Sequence, residues 1–504
     1  VEDGLKSGKI RVVVATATLE LGIDIGMLDD VVLVGTPHAL SSVIQRGGRA
    51  GHRPGARGVV RLYPLHPRDA CNALAMQQLL ESTSAGTSLS CLEPLDVLAQ
   101  AVLLAAAARA WTIEELHALV CRAWHFSSLK IDRFMTVLEM LCGRLGERRV
   151  QALPLRAEMT GGKFRTLGGS VFLLRTAGGT IPPRGGIPLR EAVTGAPLGE
   201  IDEEFAWERR IGDVFRMGNR VWRLERIDDH GAHVVQSAGD GALIPFWRAE
   251  TPDSEDDTLA RVRMIFDRAR NAGALAAFPE DPVWRVVQEW IGQHLLDGRL
   301  LLPGTDTLIL QDLAEQSGGD CSLLLVTSRG GRINRSLAWG LSSWCRTRFG
   351  IEGKTWWDDD CLVIAGLPGQ IGGVSLFMEF AAACDETGIR KGLAGSHLFG
   401  SRFRDVAARS LVLPREMPGR FRPFWKFRER ARQLLQRLAG ERGLPVCEEA
   451  FRECERELLD IPGTLALLDG VLAGKIRLVP APADAALPIT RGVRWNEANE
   501  QVYA

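Results

Sequence analysis

Apolar positions along the chain change texture several times, and each change predicts a different architecture. In the first eighty residues, β-branched runs at Ile10–Ala15 and Asp30–Val34 read as buried parallel strands. A helix is expected over Val1–Ser7, a short one over Ala39–Ile44, a further strand over Gly58–Tyr63 and a helix over Ala70–Leu80. The Ser/Thr/Gly-rich stretch Ser82–Ser90 reads as a linker. From Leu95 to about Val150 the pattern is helical. Thr112 stands three residues before Glu115 in a capping-box arrangement, and a third helix covers Ile131–Cys142. Three short helices suggest a winged-helix unit. Beyond Leu153, short β-type runs alternate with glycine and proline turns at Ser170–Arg175, Thr180–Pro182, Asp213–Arg216, Arg220–Arg226 and His233–Gln236, the texture of a small β-barrel or a strongly curved sheet. An acidic stretch, Glu250–Asp257, opens a mixed region with strands at Ser322–Val326 and Cys361–Ala365 and a helix over Arg332–Phe349. The final third is helical from Met378 to Leu468, with a weak strand and tail over Gly470–Pro480. The expected class is therefore multidomain, α/β and α+β, divided into 1–80, 90–150, 153–250 and 258–480.

Composition changes this picture little. With 504 residues and 46% hydrophobic content, the chain can fill several cores. A formal net charge of −1 means that any surface for a polyanion must be a local patch. Ten cysteines occur without a Cys-x-x-Cys pair, and Cys447 and Cys454 are the most closely spaced. Free thiols in a reducing cytoplasm are expected rather than disulfides or a zinc site. Ala99–Ala110 is apolar but too short to cross a bilayer, so no membrane partner is expected.

The candidate chemistry lies near the start. Gln45-Arg46-Gly47-Gly48-Arg49-Ala50-Gly51-His52 places two arginines around tight glycines just after the short helix. Arginine is always charged and forks bidentately onto phosphate oxygens, so such a pair suits a transferring γ-phosphoryl group. Upstream lies Thr18-Leu19-Glu20-Leu21-Gly22-Ile23-Asp24. Gly22 permits a sharp turn, and Asp24 can accept hydrogen bonds from a ribose or hold the arginine loop. No Gly-x4-Gly-Lys-Ser/Thr loop occurs, because the first glycine required by Gly353-Lys354-Thr355 would fall on Arg348. No Asp-Glu-x-His box occurs either. The chain opens on Val1 without a methionine, which leads to the expectation of a fragment that does not hydrolyse ATP alone.

Three segments are candidates for holding nucleic acid. Ser401–Arg432 carries ten cations, among them Arg402, Arg404 and Arg409, against three acids, with Phe403, Phe421, Phe424, Trp425 and Phe427 interleaved. Cations neutralise phosphates and aromatic rings stack on bases, the pairing expected of a single-strand track. The competing reading is a solvated helix face with an apolar core stripe and arginines paired to acids elsewhere. Trp247 beside Arg248 in Ile244-Pro245-Phe246-Trp247-Arg248 offers a second stacking group. Ile181, on the Gly178–Gly185 tip, could wedge between bases. Burial of the tryptophan and ordinary turn packing of the tip compete with those two readings.

TLELGIDIG followed by QRGGRAGH resembles motifs V and VI of superfamily 2 helicases, carried on the second RecA-like domain. Gly47 stands where that family usually has Ile or Val, which is expected to loosen the turn between the arginines. With PLDVLAQ, GTIP, IDEEFAWERRIGDVF, IPFWR, FRDVAARSLVLPR and FRECERELLDIPG following in order, the whole chain looks like the large helicase-related (Lhr) family, of the Lhr type rather than its ligase-associated cousin. The resemblance implies a truncated RecA-like sheet, a winged helix, and a β-barrel-like and helical C-terminal module of an ATP-dependent motor. That motor moves 3′-to-5′ on single-stranded DNA and unwinds DNA or RNA:DNA duplexes. It implies γ-phosphate contacts for Arg46 and Arg49, nucleotide contacts for Gly22, Asp24 and Gln45, and a backbone contact for Thr18. By match to the family, Trp247 would stack on a base and Ile181 would insert between bases. ATP and Mg²⁺ would be held mainly by the first RecA-like domain. The rivals are a non-enzymatic single-strand-binding module and an RNA helicase of the same superfamily.

Overall fold

A computed structural model of the chain describes residues 4–5, 7, 9–15, 28–50, 59–82, 91–177, 179–180, 186–202, 211–217, 220–228, 231–237, 253–271, 279–316, 320–351, 353–368, 373–394, 396–413, 424–438, 440–441 and 443–494. Two compact units share the sequence between them. One is built from Val1–Ser88, Pro252–Leu393 and Glu455–Ala504, the other from Leu89–Thr251 and Ala394–Cys454.

The first unit begins with a parallel strand pair, Asp30–Val34 and Val59–Tyr63, in register Val31 to Val60 and Leu33 to Leu62. Alternation along the strands sends Leu33, with Val31 and Leu62, onto Val43 and Met76 of the adjoining helices Leu40–Gly47 and Pro67–Glu81. Helix Pro67–Glu81 starts three residues before the expected Ala70, with Pro67 at its first turn and the His66 ring accepting the Asp69 N–H at 3.1 Å. Its other side, Ala70, Cys71, Leu74 and Ala75, joins a second core with helices Asp256–Asn271 and Pro282–Gly292.

That core covers one face of a five-stranded sheet in the order Lys354–Trp357, Cys361–Pro368, Asp320–Val326, Thr307–Gln316, Arg477–Ala481, antiparallel except for the last pair. Ile309, Leu324, Val326 and Val363 point to it. Leu308, Leu310, Leu323, Leu325, Leu362 and Ile364 point to the opposite face, under helices Gly331–Phe349, Gly373–Ala383 and Ile461–Leu472. A strand covered on both faces has no polar side, which is why Leu323–Val326 runs as continuous apolar residues. The weak C-terminal strand is an integral edge of this sheet.

In the second unit, helices Leu95–Ala108, Ile113–Val120 and Ile131–Leu141 form a three-helix unit. Its capping box forms as expected, Glu115 N–H to Thr112 Oγ1 and Thr112 N–H to the Glu115 carboxylate, each at 3.3 Å. Trp111–Thr112 pairs with Lys163–Thr166, which pairs with Ala157–Thr160. This hairpin therefore completes the winged helix instead of opening the β region. The five-stranded sheet that follows runs in the order Val214–Met217, Arg220–Asp228, Gly231–Gln236, Gly186–Glu191, Pro197–Asp202 around Leu189, Ile201, Phe215, Trp222, Leu224, Ala232 and Val234. Among the described residues its edge strands, Val214–Met217 and Pro197–Asp202, do not pair with each other. Helices His397–Arg409, Phe424–Leu438 and Pro445–Glu457 complete the α-helical part.

Two expected strands are absent. Residues 10–15 form none, and Val12 and Val14 are 80% and 97% exposed, since a β-branched run becomes a strand only with a neighbour to pair with. Ser170–Arg175 lies inside a helix, Gly168–Ala177, whose Ser170 and Leu173 are buried one turn apart. Of the expected Val1–Ser7 helix, the described residues Gly4 and Leu5 are helical, and most of it lies outside the described residues. So does most of the Ser82–Ser90 linker.

Candidate nucleotide and nucleic-acid sites

Gln45 and Arg46 occupy the last turn of helix Leu40–Gly47, and Arg49 follows in a turn that continues the helical winding. Gly48 N–H reaches the Ile44 carbonyl at 2.7 Å, Arg49 N–H reaches Arg46 at 3.1 Å, and Ala50 N–H reaches Gly47 at 2.9 Å. Residues three apart in such a turn project from one side, so Arg46 and Arg49, both half-buried, leave the backbone together. Buried Val43 docks the helix on the strand pair, and Ala50 bridges to Leu28 in parallel fashion.

The first turn of this helix lacks a local side-chain cap at Ala39. A distant acid supplies one. Leu40 N–H donates to the Glu255 carboxylate at 2.9 Å, and Glu255 N–H donates to the His38 carbonyl at 3.0 Å. The acidic segment Glu250–Asp257 thus orients the arginine helix through Glu255, a contact spanning 215 residues of sequence. At Gly47 the helix end leaves little room for a side chain. A Cβ there would lie 2.7 Å from Val60 Cγ2, so the missing side chain lets the helix end press against the neighbouring strand. Thr18, Gly22 and Asp24 lie outside the described residues.

Ile181, Trp247 and Arg248 also lie outside the described residues, but the approach to the Ile181 tip is clear. Gln100 grips Gly179 from both sides, its amide oxygen accepting the Gly179 N–H and its amide nitrogen donating to the Gly179 carbonyl, each at 2.9 Å. Gly179 has φ +132°, a conformation that suits glycine. Gln100 belongs to PLDVLAQ, and the same segment contributes Asp96, buried against Arg409 of FRDVAAR at 2.5 Å. Arg409 also pairs with Glu453. Burial by itself would lower the Arg409 pKa, but Asp96 and Glu453 more than reverse that and hold the guanidinium charged. Gln100 and Asp96 escaped sequence reasoning, since their partners stand tens to hundreds of residues away.

The proposed strand track resolves differently at different residues. Arg402 lies 3.9 Å from Glu453, and Arg404 lies 3.6 Å from Asp405 and donates to Ser401 at 3.0 Å. Phe403 is fully buried and Phe427 is 4% exposed, so neither ring can stack on a base. An i, i+3, i+4 pattern lines the apolar stripe with aromatics and turns the cations to its borders, where acids meet them. Phe421 lies outside the described residues, as do the side chains of Phe424 and Trp425. Sequence reasoning also passed over Trp124, a residue 63% exposed. None of the ten cysteines forms a disulfide. Among the described residues no cluster of three or more His, Cys, Asp or Glu side chains could hold a metal ion, and no helix is long and apolar enough to cross a membrane.

Comparison with known proteins decides the family. Residues 1–54 match the helicase conserved C-terminal domain, residues 80–243 the winged helix domain of large helicase-related proteins, and residues 302–487 the DEAD/H associated domain. The chain belongs to the Lhr family of superfamily 2 helicases. Among its Lhr relatives, a Mycolicibacterium smegmatis protein named Lhr helicase/probable uracil glycosylase is 32% identical, covering 97% of this chain and 33% of the relative. The Escherichia coli Lhr helicase/uracil glycosylase is 30% identical over 100% of this chain and 33% of its own. The Thermococcus barophilus ATP-dependent helicase Lhr-Core protein 2 is 27% identical, with 95% and 56% covered. The chain thus spans a third of the bacterial relatives and just over half of the archaeal one. A solved structure of Mycobacterium smegmatis helicase Lhr bound to ssDNA and AMP-PNP superposes with a TM-score of 0.72 at 28% identity, over 97% of this chain and 59% of that one. The mixed α/β fold with its parallel strand pair and winged helix is similar to that of this Lhr structure.

Proposed function

We propose that this chain is the part of an ATP-dependent Lhr helicase that senses the γ-phosphate and holds the translocating strand. The motor would move 3′-to-5′ along single-stranded DNA and unwind DNA or RNA:DNA duplexes in the cytoplasm. The observation that carries the reading is the turn that brings Arg46 and Arg49, both half-buried residues, three positions apart at the end of a helix capped by Glu255 and docked on parallel strands. Arginines so held stabilise charge on a transferring phosphoryl group without reorganising. Gln45, Gly22 and Asp24 would complete the nucleotide side, with Thr18 on the strand backbone. By the family resemblance, Mg²⁺ with ATP would be held largely by a first RecA-like domain. ATP binding and turnover supply the closure of the two RecA-like domains that steps the motor.

On the strand side, Trp247 would stack on a base, with Arg248 beside it, and Ile181 would wedge between bases. Arg402 and Arg404 would add positive potential rather than direct contacts, because both already have acidic neighbours. The division into 1–80, 90–150, 153–250 and 258–480 would separate nucleotide sensing from strand holding, with the Ala157–Thr166 hairpin assigned to the winged helix. The decisive measurement is strand-stimulated ATP hydrolysis by the full-length protein. Arg46→Ala and Arg49→Ala should each lower turnover about 10³-fold or more while leaving nucleotide-free strand binding unchanged. Unaltered turnover in both variants would overturn the reading.

A further inference from the structure

Between the second and third helices of the winged helix, the turn Cys121–Lys130 holds Trp124 out from the surface at 63% exposure. Tryptophan is on average a heavily buried residue, so an exposed one on a well-anchored turn calls for a ligand. The anchoring is extensive. A short 3₁₀ helix spans Trp124–Phe126, closed by Phe126 N–H to the Ala123 carbonyl at 2.9 Å and by Ser127 Oγ to the Trp124 carbonyl at 2.9 Å. Phe126 and Leu129, 7% and 3% exposed, fasten the turn to the core, and Glu93 N–H ties down the His125 carbonyl at 2.9 Å. The His125 ring stands edge-on to the indole, 5.1 Å between centroids and 82° between planes. The indole is therefore presented on a backbone that need not reorganise on binding.

The charge around it selects among occupants. Arg122, His125 and Lys130 are all exposed on the same turn, and neither Arg122 nor Lys130 enters an ion pair among the described residues. Of the acids close in sequence, Glu93 is taken up by Arg133 at 3.5 Å and Ser128 at 3.2 Å, and Asp132 is exposed on the following helix. A protein-binding tryptophan is normally ringed by groups that exclude water. Here the ring is bordered by unneutralised cations and by Ser127 and Ser128, a surface suited to a polyanion with aromatic bases. We propose that Trp124 is a stacking platform for an unpaired nucleobase, with Arg122 and Lys130 neutralising the flanking phosphates. It rests on the strand-holding role proposed above and adds to it a contact on the winged helix itself, separate from Trp247 and Ile181.

The test uses the full 504-residue chain and a fluorescein-labelled oligo-dT strand followed by anisotropy across a salt series. Trp124→Ala should weaken binding about tenfold without changing the slope of log affinity against log salt, and Trp124→Phe should restore most of the loss. Lys130→Ala and Arg122→Ala should instead lower that slope by about 0.7 each, the signature of one lost phosphate contact to a single strand. Equal affinity for Trp124→Ala and the wild-type chain would overturn the platform alone and leave the ring to a protein surface. Failure of the wild-type chain to bind the strand would overturn the strand-holding role and the platform with it.

Discussion

The Asp358 carboxylate accepts backbone N–H groups from Asp360 and Cys361, at 2.9 and 2.8 Å, where the chain turns into the strand Cys361–Pro368. Burial, with the Asp360 carboxylate beside it, pushes its pKa up to about 7. An unfolded aspartate titrates near 4, so the folded state binds the extra proton between about pH 4 and 7. The stabilisation is complete below about pH 4 and is lost as pH rises through 7. Asp358→Asn keeps an oxygen acceptor for both N–H groups and removes the titration. The variant should therefore melt higher than wild type at pH 8 and lose its advantage toward pH 5, which calorimetry at the two pH values reads directly. Parallel melting at both pH values would count against the assignment. Arg68 sits across the same turn and forks onto Asp360 at 2.7 and 2.8 Å. The arginine appears in the sequence as one cation among many. Only the fold shows that it pins a helix to a turn almost 300 residues further on.

At the scale of elements, the end of helix Leu40–Gly47 is shaped by what the neighbouring strand leaves free. A side chain at Gly47 would collide with Val60, whose branched carbons sit rigidly on the backbone. Gly47→Val should lower stability by about 1–3 kcal/mol in denaturant unfolding, and adding Val60→Ala should recover most of it. Strictly additive losses would show that the two positions do not meet. Where elements were legible from sequence, the cause was local. Thr112 and Glu115 cap a helix three residues apart, and Asp30–Val34 reads as a strand because its β-branched run is flanked by turns. Ser170–Arg175 misled because a short apolar run carries no period long enough to separate strand from helix. Packing of Leu173 against its surroundings decided the matter in favour of helix.

On the scale of the whole molecule, the chain leaves its first unit after Ser88, returns at Pro252, leaves again after Leu393 and returns at Glu455. The first unit therefore depends on its last segment. Leu467, Leu468 and Val471 fill the core over one sheet face, and Arg477–Ala481 pairs in parallel with Thr307–Gln316. A chain ending at Cys454 should lose hydrogen-exchange protection over strands Thr307–Gln316 and Asp320–Val326 and keep it over the winged-helix helices, which lie wholly in the other unit. Protection retained in both regions would show that the final segment is dispensable. The pairing of Arg46 and Arg49 was legible because both lie within one short motif. Which aromatics are buried was not, because buried and exposed ones look alike in sequence.

The sequence by itself determined the strand–helix alternation over Asp30–Glu81, the three helices of the winged-helix pattern and the paired arginines, since each depends on neighbours a few residues apart. Tertiary structure alone decided that Glu255 caps the arginine helix, that Asp96 and Gln100 tie three distant motifs together, and that Phe403 is core while Trp124 is surface. Those outcomes depend on which residues meet across hundreds of positions, and only the packed chain brings them together.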